Sequence, residues 1–222
     1  MKKSSLKASL YLNSAIFIMV LLGTIFMLTG FKFMTNTSIL ASEGLLVFKY
    51  YTVDSNIFVG LASLLLIVYE CLALNNKVKE IPKYVYLLKY IGTVAVTLTF
   101  LVTLVYLAPS YGNKFWFLYQ NSNLFFHLLV PILSFISFVC FEKTDFKLKH
   151  TLYGISTMII YGIFYVINIL IHQENGKIAF KYDWYGFAKG GVSSIIIVFP
   201  IILTVTYLIS VVIYKMNRIK II

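Results

Sequence analysis

The chain has 222 residues, 60% of them apolar and only 12% charged, with a net charge of +11. That balance departs from the soluble average toward the membrane class. The basic residues cluster at the ends of apolar runs, so they act as topology signals facing lipid headgroups and exclude a nucleic-acid binder.

Six apolar runs are long enough to cross about 30 Å of hydrocarbon as helices. They lie near residues 12–31, 50–74, 86–108, 117–141, 151–171 and 191–214. Barrel strands are shorter and alternate, so the expected fold is all-α, a polytopic integral membrane protein with six transmembrane helices. Connections are short, which makes residues 1–222 a single domain. Runs 1–3 and 4–6 share no spacing, which argues against an inverted-repeat transporter.

The first run follows Lys2, Lys3 and Lys7 and continues past signal-peptide length without a small-x-small cleavage site, so it reads as an uncleaved helix. Thirteen of the 19 basic residues, Lys89 among them, fall on the side of the two termini if the helices alternate. The positive-inside rule then puts both termini in the cytoplasm. Abundant Lys, Ile, Asn and Phe suggest an AT-rich genome and hence a bacterial plasma membrane. Asn36-Thr37-Ser38 forms a glycosylation sequon in the first outer loop.

The second run opens with polar residues. Thr52, Ser55, Asn56, Gly60 and Ser63 share one helical face, and Asp54 points away from it toward the water boundary. Glu70, near the cytoplasmic end, is expected to snorkel or to pair with a loop lysine. Cys71 and Cys140 lie at cytoplasmic ends and are expected to be reduced packing residues. In the fourth run Gln120, Asn123, His127 and Ser134 share a face, and Pro131 loosens the helix just after the histidine. The fifth carries a stripe of Tyr161, Tyr165, Asn168 and His172. The last outer loop has a turn at Asn175-Gly176 and the rings of Phe180, Tyr182, Trp184, Tyr185 and Phe187. Such clusters are more often an interfacial belt than a lid.

Most Ser, Thr, Asn and Tyr side chains in membrane helices serve only as interhelical contacts, each contributing about 0.6 kcal/mol. His127 is different, because an ionisable residue inside the membrane is costly unless it is used. An apolar site favours the neutral imidazole, the form a general base requires. Thr52 becomes a nucleophile toward an ester carbonyl if that imidazole takes its proton. Ser55, Asn56, Asn123, Tyr161, Tyr165 and Asn168 are the candidates to donate to an oxyanion or to orient the histidine. No metal set is expected, since His127, Asp54 and Glu70 lie at different depths, and no cofactor motif is present. The same polar stripes would also suit a non-enzymatic protein that binds or carries a lipid or small molecule. Counting from the cytoplasmic ends, Thr52 stands about 12 Å farther out than His127 if the helices are parallel, which opposes a direct meeting.

"YYTVDSN" in the second run and "NLFFHLLVP" in the fourth resemble the androgen-induced-gene integral membrane family and its bacterial relatives. The likeness spans residues 46–190 and includes "YGIFYVINI" and the aromatic outer loop. It implies six helices and threonine-dependent hydrolysis of fatty-acid esters, with membrane lipids and a lipid ester as partners and no cofactor. On this resemblance Thr52 takes the nucleophile position and His127 the base position, with Asn123 four residues before it. Animal members carry an acid three residues after the threonine, where Ser55 stands here. The histidine-to-proline spacing is one residue shorter in this chain.

Overall fold

The structure, a computed structural model, describes residues 3–36, 43–174, 177–179, 181–188 and 190–219. Residues 37 and 38 of the sequon, the 175–176 turn and the ring at 180 lie outside them.

Six helices are long and apolar enough to cross a membrane: α1 (Lys3–Thr29), α2 (Tyr51–Leu74), α3 (Lys83–Ser110), α4 (Ser122–Phe141), α5 (Leu148–Ile171) and α6 (Ile195–Arg218). The first two turns of α5, Leu148–Ile155, are wound as a 3-10 helix. Ser5 at the start of α1 donates to the carbonyl of Phe141 at the end of α4, and Lys143 donates to that of Ile219 just after α6. Lys83 pairs with Asp145 between the α2–α3 and α4–α5 connections. Both termini and these connections therefore share one end of the bundle, called here the terminal end. The far end carries the 3-10 turns Gly44–Lys49 and Gly112–Tyr119 and a two-residue hairpin pairing Gln173 with Ile178.

The bundle is built around α3. Of its apolar window 61% is buried, against 22% for α1 and α6. Tyr90 on α3 donates to the Ser210 carbonyl of α6, and Ser210 in turn donates to the Thr151 carbonyl of α5. Around that chain of hydrogen bonds pack Phe138, Phe146, Ile209 and Ile213. Lipid gives no hydrophobic reward for joining helices, so close approach through small residues matters more than in water. At Gly92 a Cβ would stand 2.9 Å from the Val59 Cα of α2, and at Gly60 one would stand 2.7 Å from a Val20 methyl of α1.

Two expectations are corrected here. Glu70 neither snorkels nor meets a loop lysine; it is fully buried. Lys89, counted among the topology signals, is fully buried on α3 and donates to the Ser63 hydroxyl at 2.8 Å. Near the end of an apolar run a charge reads as interfacial, but here other helices close over both.

Because the obstacle at Gly92 is backbone, it cannot swing aside. Gly92→Leu is expected to lower stability by about 1–3 kcal/mol. The check is the SDS-unfolding midpoint in mixed micelles, where Gly44→Leu, with open space around it, serves as the comparison for side-chain bulk.

Candidate functional site

The start of α4 is not a regular helix. After one turn, Ser122–Leu124, the chain adopts π-helical hydrogen bonding over Phe125–Leu129, with the Val130 N–H reaching back to the Phe125 carbonyl. In that register the next donor, at position 131, would serve the Phe126 carbonyl, but proline has no N–H. The orphaned carbonyl is taken by α2: Asn56 Nδ2 donates to it at 3.2 Å and to the Thr52 carbonyl at 2.7 Å. One amide nitrogen thus ties the backbone of the threonine turn to the peptide preceding His127. Asn56 meets the Phe126 carbonyl one helical turn below Thr52, so about one turn of the axial offset expected from residue counting remains.

His127 is buried, with 3% of its surface exposed, and its Nδ1 lies 2.9 Å from the Leu118 carbonyl. A carbonyl only accepts, so Nδ1 carries the hydrogen and Nε2 holds the lone pair. The carbonyl comes from the 3-10 turn Gly112–Tyr119, which enters α4 through Asn121 in a left-handed conformation (φ 54°). The Asn121 side chain holds that entry to the α1–α2 connection, accepting from the Met34 N–H and donating to the Thr35 carbonyl.

The other candidates separate into two groups. Ser55 is buried beside the threonine turn, donating to the Thr52 carbonyl at 3.1 Å and sharing a hydrogen with Thr99 of α3 at 3.2 Å. Asn56 is fully buried, and both hydrogens of its amide are engaged, which makes it a positioning group; its Oδ1 has no partner. Thr52 and Asn123 are half-buried, and Asp54 is exposed, as its face implies. Tyr161, Tyr165 and Asn168 belong elsewhere. Tyr161 donates to the Lys49 carbonyl and accepts from Trp184 Nε1, Tyr165 donates to Asp183, and Asn168 donates to the Tyr182 carbonyl. Their hydrogen bonds go to Lys49 and to the loop between α5 and α6.

The rings of that loop pack on one another and on α5. Tyr185 and Phe187 stack on each other and against Tyr165, and Tyr182 stacks on His172 at 3.7 Å. Asp183 organises the turn by accepting from the Phe187 and Ala188 N–H groups. The Tyr185 hydroxyl accepts the Tyr51 N–H, one of the orphan donors at the start of α2, which has no side-chain cap. Burial pushes the Tyr185 phenol well above its ordinary value, so it remains a neutral hydroxyl at that position.

One residue of the site had no signal in its own spacing. Tyr119 follows the residue that anchors His127, and its buried hydroxyl has no partner; burial pushes its phenol up as well. Only the fold reveals it, because it sits in a turn and not on a helical stripe.

No protein-family model, curated protein or solved structure matches this chain.

The hydrogen-bond geometry fixes the tautomer of His127. Nitrogen NMR of histidine-labelled protein is expected to place the proton on that ring's Nδ1 and the lone pair on Nε2. An Nε2–H form would remove the only nitrogen free to accept a proton.

Proposed function

We propose that this protein is an intramembrane hydrolase of lipid esters, in which Thr52 is the nucleophile and His127 the base. The observation that carries the reading is the Asn56 bridge, which holds the turn bearing Thr52 against the peptide of His127. The resemblance to the androgen-induced-gene family supports the same two residues.

In the proposed reaction Nε2 of His127 takes the hydroxyl proton of Thr52 as Oγ1 attacks the ester carbonyl. The tetrahedral intermediate collapses to acyl-threonine, and the alcohol leaves with the proton from His127. Water, deprotonated by the same nitrogen, then releases the fatty acid and restores the threonine. Ser55 and Asn56 hold the threonine backbone, while the half-buried Asn123 is the candidate to donate to the oxyanion.

The substrate class follows from the surroundings. A groove of about 440 Å³ runs between α3, α4 and α6, with Thr97, Phe100, Pro131, Phe135, Leu208 and Ile213 among its lining. It begins at Pro131, one helical turn from His127. An acyl chain diffusing in the bilayer fits such a groove with its ester near the histidine. The groove equally favours a second reading, a protein that binds an acyl lipid without cleaving it.

Activity separates the two. Thr52→Ala and His127→Ala are each expected to lower hydrolysis of a long-chain fatty-acid ester by at least about 100-fold. Both should also lose labelling by a fluorophosphonate while eluting as the folded protein. Undiminished turnover in either variant rejects the hydrolase, and acyl binding without any turnover establishes the binder.

A further inference from the structure

A second polar cluster lies at the terminal end, well away from His127, and its hydrogen bonding does not balance. Ser9 and Asn13 of α1, Ser63 and Glu70 of α2, Lys89 of α3, Ser137 of α4 and Glu142 just after it are all completely buried. Glu142 Oε1 accepts from Asn13 Nδ2 at 2.9 Å, from Ser137 Oγ at 2.5 Å and from Ser9 Oγ at 3.5 Å. Glu70 lies beside Ser9, within electrostatic reach of Glu142 and Lys89. Lys89 gives a hydrogen to Ser63, and among the described residues no ion pair joins it to either carboxylate.

Four oxygens in this cluster accept no hydrogen bond at ordinary geometry: Asn13 Oδ1, both carboxylate oxygens of Glu70, which only the Ser9 hydroxyl faces, and Glu142 Oε2. All four are acceptors. The Asn13 amide cannot be turned round to relieve the imbalance. Its Nδ2 faces the Ser9 carbonyl at 3.0 Å as well as the Glu142 carboxylate, and an oxygen there would meet two acceptors. Asn13 Oδ1 is therefore a neutral, buried oxygen aimed where only a positive charge or a hydrogen could satisfy it.

We propose that Asn13, Glu70 and Glu142 form a binding site for one monovalent cation. The ligands are hard oxygens without thiolate or imidazole, which suits a sodium-type ion over a transition metal. The charge agrees. With both carboxylates ionised and Lys89 protonated the cluster carries one net negative charge, and one monovalent cation cancels it. Tyr86 of α3 is the remaining titratable group within electrostatic reach, and α1 contributes only Ser9 and Asn13. Burial makes cancellation necessary, since an uncompensated charge removed from water is strongly unfavourable.

The test uses the full chain in phosphatidylcholine nanodiscs, titrated with sodium or potassium chloride against choline chloride at constant ionic strength. Saturable binding heat and a rise in Tm are expected with sodium or potassium and not with choline, and the preferred ion identifies the ligand. The half-saturating concentration of the preferred ion is read from the same titration. Glu70→Gln, which keeps the shape and removes the charge, should raise it at least about tenfold. If that variant does not fold, the wild-type titration still decides. Equal behaviour in all three salts overturns the site.

Discussion

Hydrocarbon supplies no hydrogen bonds, and this constraint organises the bundle. Every polar atom inside must be met by another part of the chain. Pro131 shows how the requirement shapes the fold. Removing one N–H from α4 exposes the Phe126 carbonyl, and the amide of Asn56 is drawn to it from α2. In the π-helical register that deficit is met by a contact that ties α2 to α4 at Asn56. The same logic works on the other side of α3, where Tyr90, Ser210 and Thr151 join three helices by hydrogen bonds.

The six spans were legible because run length alone identifies a membrane helix. The buried faces were legible in part. Ser55, Asn56, Gly60 and Ser63 do line one side of α2, as helical periodicity requires. Periodicity says which residues share a face but not what the face meets. The stripe of Tyr161, Tyr165 and Asn168 was therefore assigned to the histidine, whereas backbone carbonyls and Asp183 of surrounding turns claim all three. Glu70 and Lys89 misled for a related reason. Each stands near the end of an apolar run, where a charge normally reaches water. Their burial depends on Ser9 and Asn13 of α1, distant in sequence and unremarkable until the fold places them there.

The two polar levels differ in what they lack. Near His127 the donors are matched by backbone carbonyls: Leu118 for the imidazole, Phe126 and Thr52 for Asn56. At the terminal end acceptors outnumber donors. Asn56 and Glu70 lie on the same helix, 14 residues apart in sequence, which is about 21 Å along its axis. The shared rigid helix sets that spacing, and neither level uses a side chain of the other.

Between the levels lies a cluster of buried apolar side chains. Ile16, Val20, Val59, Val96 and Val130 pack together there, each buried. On α2 that cluster separates Asn56 from Ser63, and on α4 it separates His127 from Ser134. In the proposed reading lipid reaches the Pro131 groove sideways from the bilayer, between α3, α4 and α6. The two ends can thus serve separate chemistries on one scaffold, the far end drawing on lipid and the terminal end on whatever cation that side of the membrane provides.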